Sequence, residues 1–265
     1  MNHSQNARIV GIALLCVNIA AAQNGKPEGS RRNFVACPIV RDTKTVPCFL
    51  AEYNGETYFL GIQQDIGADF YPPQLNHEVL VEGTVAGGPR VCGGLPLKPL
   101  TISVVKELNR SCNTILPAEE GIDAPPGYRG AGPSTKRPAG PPPTAPVAYV
   151  PPFEARDFQV TFDFDSDFLT IRSSRVLNEV VRFATASKAA RVEVGGYRAA
   201  TLLSDGRTLI EGQQIGEARA RKVAEILRGF GLPASTVSVA WKTDAESADG
   251  ISDPRNRRVA ISVKP

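Results

Sequence analysis

An arginine on the apolar side of a predicted helix is the side chain with the clearest capacity for binding chemistry. Ile215, Arg219 and Val223 are spaced i, i+4 and i+8, so they share one stripe of a helix predicted over residues 209–230. A guanidinium in an apolar setting is costly unless a carboxylate meets it, and its planar fork of donors suits that group. The sequence therefore predicts either a ligand-binding arginine or an internal ion pair.

The acid that would meet this arginine inside the chain is not fixed by the sequence. Candidates for a structural ion pair are Glu193, Asp163 and Asp165. A guanidinium that reaches the solvent-exposed rim of its stripe is a further alternative. All of these alternatives stay open at this level.

Three alternating aspartates resemble the opening of a calcium loop. Asp163, Asp165 and Asp167 have the right spacing, but Phe168 stands where the loop needs a glycine and Ser174 where it needs a bidentate glutamate. We therefore expect no metal and no cofactor.

Motifs of the common enzyme classes are missing from the sequence. It contains no G-x-S-x-G, no H-E-x-x-H and no P-loop. His77 is the only histidine beyond residue 3, and the cysteines are expected to be oxidised, which removes them as nucleophiles. We expect a noncatalytic protein.

Composition and charge argue against two further classes, disordered chains and nucleic-acid-binding proteins. With 42% hydrophobic and 22% charged residues the chain is typical of globular proteins. A net charge of +3 gives no electrostatic case for binding nucleic acid. Arg255, Arg257 and Arg258 form a local basic cluster that is either solvated or in contact with carboxylates of a partner.

The first 22 residues have the order of segments found in a secretory signal peptide. Arg8 supplies a positive charge, Ile9–Ala20 is apolar except for Asn18, and Ala20–Ala22 offers small residues for cleavage. No apolar run of about 18 residues follows, so we expect no transmembrane span in the mature chain. The prediction is an exported protein.

Four cysteines remain after the signal peptide, and all lie in one stretch: Cys37, Cys48, Cys92 and Cys112. Their intervals of 10, 43 and 19 residues lack the close pairs that zinc sites use. An exported chain favours two disulfides, and three pairings are possible.

A proline-rich linker over residues 119–152 is predicted to divide the protein. Ten prolines fall between residues 124 and 152, and such a segment favours an extended, semi-rigid spacer. The predicted domains on its two sides cover residues 33–118 and 153–265.

The first domain has the pattern of a small β domain. Asn54-Gly55 predicts a hairpin between Val46–Tyr53 and Glu56–Ile62, and Val79–Val85 and Leu100–Val105 predict further strands. Four or five short strands with two disulfides suggest a closed barrel of the OB type. Its function stays open at this level.

The second domain has the pattern of an α+β sandwich in the order β-α-β-α-β-β. Strands are predicted over 158–164, 191–197, 235–241 and 258–263, and helices from an N-cap at Ser173 or Ser174 to Lys188 and over 209–230, closed by Gly231.

Four motifs of this domain resemble the OmpA-like C-terminal domain. They are Phe162-Asp163-Phe164-Asp165-Ser166, Gly196-Tyr197, Ile215-Gly216-Glu217-Ala218-Arg219-Ala220 with Val223, and Asn256-Arg257-Arg258-Val259. The resemblance covers residues 153–265 and implies a periplasmic, cell-envelope location with noncovalent binding to peptidoglycan. Members of the family bind the diaminopimelate of the stem peptide, with an aspartate for its ammonium and an arginine for its carboxylate.

The family's site residues carry over only in part. Arg219 matches the family arginine, and Tyr197, Arg257 and Arg258 lie in the matching motifs, but Ala199 stands where the family has its aspartate. Asp205 is the nearest acid that could replace it. Loss of one partner of such a charge-assisted pair typically costs about 2–5 kcal/mol.

Two functional hypotheses follow from this half-matched site. In the first, the OmpA-like domain associates weakly with peptidoglycan while the spacer presents the β domain to another partner. In the second, which the residue at position 199 favours, the fold is an assembly module that binds envelope proteins and not peptidoglycan.

Overall fold

The structure, a computed structural model, describes residues 29–62, 73–124 and 148–265. The predicted signal peptide and most of the predicted linker lie outside these residues. We call residues 29–62 and 73–124 the β region and residues 148–265 the α/β region.

The β region consists of seven strands. They are β1 (Arg31–Ala36), β2 (Pro38–Arg41), β3 (Cys48–Tyr53), β4 (Glu56–Ile62), β5 (His77–Val85), β6 (Leu95–Leu108) and β7 (Ile115–Leu116). The predicted hairpin is present: β3 and β4 pair antiparallel around Asn54 and Gly55, whose φ angles of 51° and 71° are those of a type I′ turn.

The strands of the β region form one sheet in the order β1-β5-β6-β4-β3-β2-β7. All of its neighbours pair antiparallel except β4 with β6 and β2 with β7, which pair parallel. Only Cys37 separates β1 from β2, and these two strands pair with β5 and with β3 respectively. One nearly continuous segment therefore joins distant strands of the sheet and bends it back on itself.

Two disulfides hold the β region, as predicted. Cys37 is joined to Cys112, and Cys48 to Cys92, so the structure selects one of the three possible pairings. Cys48 and Cys92 are buried in an apolar cluster with Val46 and Leu50. The bonds therefore connect the turn before β2 to the segment after β6, and the start of β3 to the turn before β6.

The α/β region contains five strands and three helices. They are β8 (Arg156–Thr161), α1 (Ile171–Ala186), β9 (Arg191–Leu202), β10 (Thr208–Ile210), α2 (Ile215–Gly229), β11 (Val237–Glu246), α3 (Asp253–Asn256) and β12 (Arg258–Lys264). The sheet order is β10-β9-β12-β8, with β11 pairing parallel to β9.

Helices α1 and α2 cover one face of this sheet. Alternate residues of β9 and β12, such as Val194 and Ile261, are buried against Leu177 and Phe183 of α1 and Leu227 of α2. The intervening residues of the strands point to the other side, which no helix of the described residues covers, and we call that side the open face. Among the same residues, the apolar cores of the two regions have no member in common.

The predicted order of elements in this region needs three corrections. Helix α2 begins at Ile215 and not at residue 209, because residues 208–210 form β10 against the end of β9. Helix α1 begins at Ile171, with Thr170 as N-cap in place of Ser173 or Ser174. The short α3 was not predicted. Gly231, with a φ of +103°, follows the C-cap Phe230 and ends α2 as expected.

Within the described residues, none of the helices combines the length and apolar character needed to cross a bilayer.

The disulfide between Cys48 and Cys92 should be a main source of stability in the β region. It closes a loop of 44 residues, so replacing both cysteines by alanine should lower the free energy of unfolding by roughly 2–5 kcal/mol. Urea denaturation followed by far-ultraviolet circular dichroism measures this change. The exposed Thr114→Ala should stay within about 0.5 kcal/mol of the wild type. A disulfide variant that matches this control would contradict the prediction.

Candidate functional site

The predicted binding arginine lies where α2 approaches the sheet most closely. A Cβ atom added to Gly196 in β9 would lie 1.9 Å from the carbonyl oxygen of Gly216 in α2. Only a residue without a side chain fits there, so the first turn of α2 packs directly on the strand. This approach brings Arg219, on the next turn, close to Tyr197 in the middle of β9.

Arg219 is fully buried and donates five hydrogen bonds inside the chain. Its Nε donates to the carbonyl of Ser166 (2.7 Å), Nη1 to the carbonyl of Tyr197 (3.1 Å) and to Glu211 (3.0 Å), and Nη2 to the carbonyl of Asp163 (2.9 Å) and to Glu211 (2.6 Å). An arginine side chain has five N–H donors, so every donor is used. The ring of Phe162 packs 5.1 Å from the guanidinium carbon.

Glu211 is the carboxylate that neutralises Arg219. It lies in the segment between β10 and α2 and is 1% exposed. Besides the two bonds from Arg219, it accepts the backbone N–H groups of Asp165 and of Ala199, each at 2.7 Å. The chain thus brings a carboxylate against Ala199, the residue that stands where the resembled family has its aspartate.

The acids proposed from sequence are not the ion-pair partner of Arg219, which is Glu211. Glu193 is on the open face, where its hydrogen bond to Lys264 lowers the pKa of its carboxyl group. Asp163 meets Arg219 through its backbone carbonyl. Asp165 accepts the N–H of Gly212 at 2.8 Å and therefore fixes the segment that carries Glu211.

Asp205 lies in the turn between β9 and β10 and is exposed. Its carboxylate accepts the backbone N–H and the side-chain Nε of Arg207, and these hydrogen bonds lower its pKa. The side chain thus bonds within its own turn, whereas Glu211 occupies the place beside Arg219.

Arg257 lies at the contact between the two regions. Its side chain is 0% exposed, and its Nη atoms lie 3.2 and 2.5 Å from the carboxylate of Glu82 in β5. It also donates to the hydroxyl of Thr201 at 3.0 Å. Like Arg219, it is neutralised by an acid of its own chain.

Tyr197 and Arg258 lie together on the open face, on the opposite side of the sheet from α2. The guanidinium of Arg258 stacks 4.3 Å from the ring of Tyr197 and pairs with both carboxylate oxygens of Glu246. Lys242 lies 5.2 Å from the same ring. Tyr197 also borders a shallow groove of about 790 Å³. The five predicted site residues therefore do not converge on one pocket.

Sequence reasoning missed the two buried acids, Glu211 and Glu82. With α2 predicted from residue 209, Glu211 and Arg219 would be eight positions apart on one helix, or about 12 Å along its axis. Glu82 lies between Val81 and Gly83 in a strand pattern that predicts a solvent-exposed glutamate, and its partner is 175 residues away. The position of Arg219 on an apolar stripe was the one signal for a buried acid, and Arg257 was not identified as buried from the sequence.

A tight loop next to α3 completes this end of the α/β region. The carboxylate of Asp249 accepts the backbone N–H groups of Ser252 (2.6 Å) and Ile251 (2.7 Å). Asp253, which is fully buried, accepts the N–H groups of Leu202, Gly250 and Asp249. The loop is therefore fixed by two carboxylates rather than by apolar packing.

Glu211→Gln should destabilise the α/β region strongly, because it leaves the guanidinium of Arg219 buried without a countercharge. Breaking one side of a buried ion pair typically costs about 3–5 kcal/mol. Urea denaturation followed by the fluorescence of Trp241, the single tryptophan, measures the loss. Glu225→Gln makes the same chemical change at an exposed position of α2 and should shift stability by less than about 0.5 kcal/mol. Equal effects of the two variants would argue against the ion pair.

The loop at Asp249 should make the stability of the fold depend on pH in the acidic range. Hydrogen bonds from the N–H groups of Ser252 and Ile251 lower the pKa of Asp249 from 3.8 to about 2. The ionised group therefore stabilises the fold above about pH 3.8, and this stabilisation is lost as the pH falls through about 2. A carboxyl titration followed by nuclear magnetic resonance should give a midpoint near 2, and Asp249→Asn should remove this part of the pH dependence. A titration midpoint of Asp249 at 3.8 would contradict the hydrogen bonds from Ser252 and Ile251.

Comparison with known proteins places one part of the chain. Residues 161–260 match the model of the OmpA family. No curated protein matches the chain.

Solved structures that are similar cover the same part. The OmpA-like domain of FopA1 from Francisella tularensis is 24% identical, over 42% of this chain and 73% of that chain, with a TM-score of 0.32. The periplasmic domain of Helicobacter pylori MotB is 16% identical, over 42% of this chain and 76% of that chain, with a TM-score of 0.34.

The family match covers less than half of the chain and contains the four motifs. Residues 161–260 are thus identified as an OmpA domain.

Proposed function

We propose that this chain is an exported, noncatalytic cell-envelope protein whose OmpA-like domain is a protein-assembly module. The periplasm is its proposed location, and other envelope proteins are its proposed partners. Two disulfides support export, because such bonds persist in oxidising compartments. The family match of residues 161–260 supports the envelope.

The observation that carries the assembly proposal is the saturation of Arg219. A diaminopimelate carboxylate would need donors from this guanidinium, and all five already bond within the chain. The positive charge of Arg219 is already neutralised as well, because both carboxylate oxygens of Glu211 accept hydrogen bonds from it. Ligand binding at this position would therefore have to break a buried ion pair.

Weak association with peptidoglycan is the second candidate, and the family match favours it. Residues outside the Arg219 pocket would then carry the contact. Tyr197 and Arg258 border or flank the groove on the open face, and Asp205 is exposed in its turn. Peptidoglycan binding by Arg219, Tyr197, Arg257, Arg258 and Asp205 stays a prediction.

The proposed organisation has four parts: a signal peptide over 1–22, a β domain over 33–118, a linker over 119–152 and the OmpA-like domain over 153–265. We further propose that the β domain is an OB-like barrel. If β1 and β2 count as one bent strand, five strands pair in a closed cycle with β4 and β6 parallel. No ligand is proposed for this domain.

Co-sedimentation with purified sacculi separates the two candidates. If the OmpA-like domain is an assembly module, the chain without residues 1–22 should stay in the supernatant, because its motif arginine has no free donor. Chemical cross-linking in intact cells should then recover a protein partner. An OmpA-like protein that pellets with the same sacculi is the positive control.

Two variants make the sedimentation test specific to the arginine. Arg219→Met removes the buried guanidinium, whereas Arg221→Met removes an exposed one from the same helix. If the wild type pellets, if free diaminopimelate competes, and if only Arg219→Met abolishes pelleting, the assembly proposal is wrong and the peptidoglycan candidate is correct. Pelleting that neither variant changes would assign the contact to the open face.

A further inference from the structure

The outward side of three strands in the β region is buried although it faces away from that region's core. Phe34, Val81 and Ile102 point into the core. Their neighbours Asn33, Glu82 and Ser103 point the other way and are only 1–2% exposed. Asn33 in β1 pairs with Glu82 in β5, so two of these residues share one row across the sheet. Such a polar row is buried only if another part of the chain covers it.

The covering surface is one end of the α/β region, formed by residues 163–166, 201–204, 249–252 and Arg257. In chain order, the first segment follows β8, the second ends β9, the third follows β11, and Arg257 precedes β12. All four therefore lie at the same end of the strands. We call this surface the loop end. Its contacts with the β region include hydrogen bonds and ion pairs.

An ion pair lies at the centre of this contact. Glu82 of β5 and Arg257 are both 0% exposed at their side chains, with a shortest N···O distance of 2.5 Å. The hydroxyl of Thr201 accepts from Arg257 at 3.0 Å. Neither charge would be desolvated without the other region, so the two surfaces are complementary in charge as well as in position.

Asn33 links the strand β1 to two segments of the loop end. Its backbone N–H donates to the hydroxyl of Ser204 (2.9 Å), and its carbonyl accepts the N–H of Ser204 (2.7 Å). Its side-chain amide donates to the carbonyls of Leu202 (3.0 Å) and Gly250 (2.8 Å). Four hydrogen bonds from one residue fix the orientation of the two regions.

The same contact reaches the segment of the chain that binds Arg219. The hydroxyl of Ser103 accepts the N–H of Phe164 at 2.8 Å, and Lys106 lies 3.5 Å from Asp165. Phe164 and Asp165 belong to the segment whose carbonyls at residues 163 and 166 bind Arg219. The β region therefore fixes the segment that covers the buried guanidinium.

We infer that the β region is the binding partner of the loop end within the same chain, so that the two regions form one rigid unit. The β region then covers the OmpA-like site of its own chain. This inference is independent of the proposed function, because it holds whether or not another surface binds peptidoglycan. Glu82 and Arg257 are the positioning residues of the contact.

Rotational tumbling of the intact chain without residues 1–22 tests this inference. Nitrogen-15 relaxation should give one correlation time for amides of both regions in the wild type. Glu82→Gln leaves the charge of Arg257 unpaired, so the two regions should separate and tumble with shorter, distinct times. Glu52→Gln removes the same charge from an exposed position of β3 and should behave as the wild type. Two correlation times in the wild type, or equal behaviour of the two variants, would overturn the inference.

A second measurement remains informative if Glu82→Gln does not fold. A protease site introduced between residues 125 and 147 allows the chain to be cut, and no disulfide joins the two fragments, since both bonds lie within the β region. Wild-type fragments should co-elute in size-exclusion chromatography. Arg257→Met should weaken their association by about 30-fold or more, whereas the exposed Arg255→Met should not. Wild-type fragments that separate at micromolar concentration would refute the contact.

Discussion

The buried pair of Arg219 and Glu211 is the interaction on which the end of the α/β region depends. A guanidinium removed from water must find both a countercharge and an acceptor for each N–H group. The chain supplies them from three separate segments: the loop after β8, the middle of β9 and the turn before α2. Their relative positions are therefore set by one side chain of α2, whose close approach to β9 at Gly196 places it between them.

The pair of Glu82 and Arg257 applies the same physics between the two regions. An apolar interface would tolerate sliding, whereas a buried charge accepts only a partner at hydrogen-bond distance. The pair therefore contributes orientation more than affinity, and the four hydrogen bonds of Asn33 act in the same way. A polar contact of this kind also leaves each surface compatible with water. The prolines predict a spacer between the domains, whereas the two regions are in direct contact. The two findings are compatible, because a linker sets how far apart its flanking domains can move but does not prevent them from docking.

Local patterns were sufficient to predict the elements, and long-range contacts decided the site. Alternating apolar residues identified most strands, Asn54-Gly55 identified its hairpin, and four motifs identified the OmpA domain. The disulfide pairing stayed open because spacing alone does not say which cysteines meet. The start of α2 was predicted too early, since nothing local separates β10 from the helix, and this error hid Glu211. Glu82 could not be recognised from its strand, because its burial depends on a region far along the chain.

The hydrogen bonds of Glu211 determine what a carboxylate ligand would have to displace in order to reach Arg219. A carboxylate ligand at Arg219 would have to displace that of Glu211, which also accepts the N–H groups of Ala199 and Asp165. Displacement would leave two buried backbone donors without partners, each at a cost of about 1–3 kcal/mol, in addition to a second negative charge in the pocket. An incoming ligand offers the guanidinium only the bonds that it already has. The exchange of Glu211 for another carboxylate is therefore unfavourable.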